Sequence, residues 1–231
     1  MKIIITHRPA QLAIFLLLAF LCYEAHQLTR HITGALLCGG FGSMTFTVTI
    51  TRQPCFPPAW VVLSGPLLTY GLAYAGMFLL RSSRYRLFAY ALIFASFSHL
   101  RFIQTLTGRG DELILAMQWV GISSRAAVAA IVFLIGLPPV LAAYRRIANR
   151  RRTLVFAGSW LLPLPVLFML LFGNAFLYGP NGDQINGISI LGIAWVVLVV
   201  DLLAVALFIK LGLPLLRAPG ESGENRLEPG L

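Results

Sequence analysis

The chain has 231 residues, 58% of them hydrophobic and only 11% charged, with a mean hydropathy of +0.82, a balance foreign to water-soluble domains of this size. A formal charge of +10 raises the question of nucleic acid. The basic residues, however, sit in short clusters between apolar runs and line no single face, which excludes a nucleic-acid partner and fits basic cytoplasmic loops.

A bilayer core of roughly 30 Å needs about 20 apolar residues per helix, and several runs satisfy that, whereas closed β-barrels lack such continuous runs. The expected fold is an all-α polytopic membrane protein of about six transmembrane helices, with a short β segment after the first helix. Its first partner is then the lipid bilayer.

At the N-terminus, Lys2, His7 and Arg8 precede the apolar stretch Leu12–Tyr23 in the manner of a secretory signal, but no Ala-x-Ala follows. An uncleaved first span is expected, continuing through Glu24–His31 toward Cys38 and ending at Gly39-Gly40. Phe46, Val48 and Ile50 then alternate with Thr45, Thr47, Thr49 and Thr51, the period-2 pattern of an extended strand or hairpin arm. Cys38 and Cys55 pair if this loop is oxidised, and otherwise pack as small apolar residues.

Pro54, Pro57 and Pro58 lead into a second span, about 59–80, containing Ser64-Gly65-Pro66, a motif suited to close helix packing and a kink. Arg81, Arg84 and Arg86 separate it from a third, about 87–105. A polar knot through Gly110-Asp111-Glu112 precedes an apolar stretch, 113–122, too short to cross and read as an interfacial or re-entrant helix. The fourth span runs about 126–144, and the fifth about 154–177, with kinks expected at Pro163 and Pro165. The sixth covers about 188–211. Residues 1–215 thus form a single transmembrane domain, and 216–231, rich in Pro, Gly and Glu, a disordered tail.

Basic residues concentrate at the N-terminus, Arg81–Arg86, Arg145–Arg152 and the end of the sixth span. Six spans with both termini cytoplasmic satisfy this distribution. The same alternation brings the Glu24–His31 end of the first helix and the Asp111 loop to one side, where they can meet. Inside the spans, His99 is read as an interhelical hydrogen bonder and Asp201 as a carboxyl paired with another helix.

His26-Gln-Leu-Thr-Arg-His31 runs into Thr33-Gly34-Ala35-Leu36-Leu37-Cys38-Gly39, followed in order by the Thr-rich strand, Ser64-Gly65-Pro66 and Gly110-Asp111-Glu112. In order and context this first half of the chain resembles the site-2 protease family of intramembrane zinc metalloproteases. The resemblance implies a zinc ion held by Asp111 with His26 or His31, Glu24 being a further candidate ligand, with Glu24 or Glu112 as the catalytic base and a membrane protein as substrate. It also implies a bacterial inner-membrane location. In the register that keeps the downstream Gly, Gln27 stands where that family has its catalytic Glu and Arg30 where it has its second His. Gln has no base to offer. Three functions are therefore carried forward: a membrane metallopeptidase-like protein, active or degenerate; a small carrier built around Asp201 and Arg101; and a non-catalytic membrane scaffold.

Overall fold

The computed structural model describes residues 3–5, 8–52, 55, 59–108, 110–177 and 189–216. The turn region 178–188 and the tail beyond 216, expected to be disordered, lie outside the described residues, as do Pro54, Pro57 and Pro58.

Helix α1 spans Pro9–Leu37. Proline starts it without loss, because the first N–H groups of a helix lack partners in any case. Its C-terminus closes with Cys38 N–H on the Gly34 carbonyl and Gly40 N–H on that of Ala35, a Schellman-type end at the expected glycines. Helix α2 (Ala59–Leu79) contains Pro66. The third span is three pieces: α3 (Arg86–Ala95), a 3₁₀ turn (Ser98–Leu100) and α4 (Arg101–Leu106). The short α5 (Asp111–Leu115) continues into a π turn over Ala116–Val120. Helix α6 covers Arg125–Arg146. The fifth span divides into α7 (Arg152–Leu161) and α8 (Leu164–Leu177) around Pro163, whose missing N–H removes a helix hydrogen bond and whose ring crowds the preceding turn. Helix α9 (Trp195–Leu207) passes through a π turn into α10 (Leu213–Leu216).

Six helical segments are long and apolar enough to cross a membrane, so the expected all-α polytopic fold holds. The third span is the central one, with 72% of its most apolar stretch buried; Ile93, Phe94 and Ala95 are wholly enclosed.

One expectation is refined and one corrected by β structure. The Thr-rich segment, expected as an extended strand or a hairpin arm, holds both arms of a tight hairpin, β1 (Ser43–Met44) against β2 (Thr49–Ile50), turning where Thr45 N–H reaches the Val48 carbonyl. The sixth span begins at Trp195 and not near residue 188, because the residues before it form a second hairpin, β3 (Ser189–Ile190) with β4 (Ile193–Ala194). Its loop, Leu191-Gly192, has positive φ at both positions (54° and 77°), the two-residue geometry that matches strand twist. Gly192 is required twice over, since a Cβ there would also collide with the Gly42 carbonyl. The hairpins join through a parallel β1–β4 pairing into a sheet of order β2-β1-β4-β3.

A disulfide between Cys38 and Cys55 fastens this end, linking the close of α1 to the approach of α2. At the opposite end, Ile3 pairs with Ile147, and the Ile5 backbone exchanges two hydrogen bonds with the Asn149 side chain. The start of the chain is thereby stitched to the Arg145–Arg152 loop, the same-side placement that the alternation of basic clusters requires.

Candidate functional site

Inside the disulfide-linked end, four helices deliver polar side chains to one buried cluster. His26 and Arg30 are four apart on α1 and so share a face. Thr69 and Tyr70 come from α2, Arg101 opens α4, and Asp111 and Glu112 open α5.

Arg101 is aimed by a backbone irregularity. Phe97, between α3 and the 3₁₀ turn, has φ 60°, a left-handed conformation costly for a bulky residue. Its ring packs edge-on against Tyr23 of α1, and the chain restarts at a new angle that carries Arg101 inward. Close approach of α1 and α2 is set by Gly65: a Cβ there would lie 2.5–2.9 Å from three atoms of the His26 ring. Ser64-Gly65-Pro66 acts as expected at this glycine, as a packing notch.

Asp111 is the hub. Its Oδ1 receives Arg30 Nη1 at 2.9 Å and its Oδ2 receives Arg101 Nη2 at 3.1 Å, with His26 Nε2 at 3.3 Å. Arg101 also grips Glu112 with two nitrogens, Nε to Oε1 at 2.7 Å and Nη2 to Oε2 at 2.9 Å, a fork-to-fork pair with fixed geometry. Tyr70 donates its hydroxyl to Glu112 Oε1 at 3.0 Å. Two guanidinium groups thus face two carboxyl groups, and the cluster balances its charge. His26 and Arg101 are under 10% exposed, as is Asp111.

Burial alone would push the Asp111 carboxyl up, but the hydrogen bond with His26 and the charges of Arg30 and Arg101 outweigh it and hold the group well below the usual carboxylate range. A carboxyl lowered by folding adds stability that is fully present above its unfolded value, about 3.9, and is lost as pH falls further. Acidification below about pH 4 is therefore expected to lower the unfolding midpoint of the wild type, and Asp111→Asn to flatten that acid limb. Thermal unfolding in detergent across a pH series reads this directly; parallel acid limbs in the two proteins would refute it.

The donor set can be tested against the zinc ion implied by the family resemblance. A carboxylate only accepts, so His26 Nε2 is the donor to Asp111. In the neutral ring Nδ1 then accepts from the Thr69 hydroxyl, 2.9 Å away. The one ring lone pair of His26, on Nδ1, is turned to Thr69 and not toward Asp111, whereas zinc needs an imidazole lone pair and a carboxylate oxygen on the same ion. Both Asp111 oxygens already carry guanidinium charge, which repels a divalent cation. His31 does not join them: its Nε2 donates to the Leu191 carbonyl at 2.8 Å, tying α1 to the second hairpin, and its ring packs on Phe41. Glu24 lies two residues before His26, about 200° around the helix, and is buried with both carboxyl oxygens unpartnered. Among the described residues no three His, Cys, Asp or Glu side chains converge on one point. The residues present do not fit a zinc site.

The structure thus brings together His26, Asp111 and Glu112 of the residues singled out from sequence, and leaves His31 and Glu24 on other faces of α1. Gln27 is also structural, with Oε1 accepting from Thr49 and Nε2 donating to Tyr23. His99 is an interhelical bonder as expected, with Nε2 donating to the Trp160 carbonyl at 2.9 Å. Sequence reasoning missed Arg30, Arg101, Thr69 and Tyr70 as members of the cluster. For Arg101 there was a signal, since an arginine inside a span needs an acid and Asp111 and Glu112 follow shortly. Two hydroxyls within an apolar α2 gave none. Comparison with protein-family models, curated proteins and solved structures finds no match for this chain.

Proposed function

We propose that the chain is a non-catalytic integral membrane protein, a scaffold on a plan resembling the site-2 protease family, with an ion-paired clamp in place of a zinc centre. The observation that carries this reading is the pairing of Asp111 with Arg30 and Arg101. The carboxylate that would ligate a metal is committed to two permanent cations. The clamp instead joins α1, α2, α4 and α5 into one rigid unit beneath the disulfide-fastened sheet, and its partner is the lipid bilayer.

The same reading places both termini in the cytoplasm of a bacterial cell and the Cys38–Cys55 end on the outer face of the inner membrane. Two features support it. Disulfides persist in oxidising compartments, and the Arg145–Arg152 loop lies at the end of the bundle that carries the N-terminus, as cytoplasmic basic loops do.

Thermal unfolding with and without excess chelator tests the clamp. Equal midpoints are expected, because ion pairs and not a metal hold the four helices. A fall in the midpoint restored by added zinc would overturn the proposal.

A further inference from the structure

Helices α1 and α9 run antiparallel, and their register is fixed at two points. Near one end, a Cβ on Gly212 would lie 3.2 Å from Ile14 Cγ2; near the other, His31 reaches the Leu191 carbonyl. Between these points the register sets Glu24 opposite Asp201. Both are well inside membrane-length helices, Pro9–Leu37 and Trp195–Gly212. Glu24 is 4% exposed, and neither of its oxygens has a hydrogen-bond partner; Oδ1 of Asp201 is likewise buried and unpartnered. Asp201 is the one ionisable residue of α9.

Among the described residues, the neighbouring titratable groups are engaged elsewhere or exposed. Tyr23, beside Glu24 on α1, is hydrogen-bonded to Gln27. On α2, Tyr70 is held by Glu112 and Tyr74 donates to the Ile135 carbonyl. On α3, Tyr90 is bound to Ser159. His26 is occupied by Thr69 and Asp111, Lys210 is exposed, and α8 has no titratable residue. One turn away, a cavity of about 420 Å³ between α1, α8 and α9 is walled by apolar side chains, including Phe20, Val200 and Ala204. A sodium or calcium ion needs six or so oxygens, and among the described residues the only other buried side-chain oxygen without a partner is Asn174 Oδ1 on α8. A proton needs no more than two. Two facing carboxylates in apolar surroundings do not both stay ionised.

We propose that Glu24 and Asp201 form an intramembrane proton-binding site, in which one proton taken from water converts one carboxylate to a carboxyl that donates a hydrogen bond to the other. The pair then carries a single negative charge in place of two. Proton binding and release at this point change the charge between α1 and α9, away from the clamp and independently of it.

Infrared spectroscopy of the purified protein in lipid, at neutral pH, tests this through the carbonyl stretch of protonated carboxyl groups, compared in light and heavy water. Wild type is expected to show such a band, equivalent to one group per chain. The band should move or weaken in each of Glu24→Gln and Asp201→Asn, and vanish in the double variant. No band in the wild type would overturn the proposal without reliance on any variant. A band unchanged in Asp201→Asn, or one surviving in the double variant, would overturn it equally.

Discussion

Replacing Arg101 with methionine is expected to destabilise the protein by about 3–5 kcal/mol, the usual consequence of removing one partner from a buried ion pair. The size follows from what is left behind. Methionine matches the volume of the arginine stem, so packing is largely kept. Glu112, however, loses both guanidinium contacts, and Asp111 keeps only Arg30 and His26. Two carboxyl groups, each about nine-tenths buried in their side chains, then share one cation. Arg101→Lys should recover only part of the loss, because a single ammonium cannot reproduce the two-nitrogen grip on Glu112. Equilibrium unfolding in mixed micelles would measure both variants. A loss below about 1 kcal/mol in Arg101→Met, the scale of an exposed pair, would mean that water reaches the cluster and that the clamp does not hold the four helices.

Loss of the Cys38–Cys55 link is expected to cost about 3 kcal/mol, the chain-entropy value for a closed loop of about 15 residues. The separation here is 17. The enclosed segment contains the first hairpin, whose two-residue strands have few ladder bonds of their own. Its noncovalent ties include the parallel pairing with β4, the Thr49–Gln27 hydrogen bond, and the ring contacts of Phe41 with His31 and of Phe46 with Phe20. Cys38→Ser, Cys55→Ser and the reduced wild type should therefore share one lowered unfolding midpoint. Unchanged midpoints would show that these noncovalent ties alone fix the hairpin.

Much of the architecture was legible because lipid imposes a simple rule. Every crossing segment must satisfy its own backbone polar groups, so apolar runs of helix length reveal themselves. The alternation of Arg clusters then placed His26 and Asp111 on one side, where the structure has them 3.3 Å apart. The second hairpin was hidden for the opposite reason: Ser189-Ile-Leu-Gly-Ile-Ala194 reads as a continuation of the apolar sixth span. Only the two positive-φ residues at Leu191-Gly192 disclose a turn, and leucine is not a residue from which one is expected.

The site was legible as a meeting of segments but not as chemistry. His26 and Arg30 are i, i+4 neighbours, and their shared face could be read from spacing alone. Which hydrogen-bond roles His26 adopts depends on Thr69, 43 residues away, and no local pattern encodes that. Glu24 looked like a companion of the histidines in the linear sequence. The helix turns it toward α9, where its neighbour is an acid 177 residues later in the chain. Arg101 was visible as a charge in a span, yet its aim depends on the left-handed Phe97, a conformation that a phenylalanine does not announce.

The central claim is that arginine, and not a metal, occupies the carboxylate of Asp111. Elemental analysis of detergent-purified, extensively dialysed protein tests it most directly, with wild type compared with His26→Ala, His31→Ala and Asp111→Ala. The clamp predicts zinc far below one per chain in all four proteins. About one zinc per wild-type chain, lost in the three variants, would contradict it and restore the metallopeptidase reading.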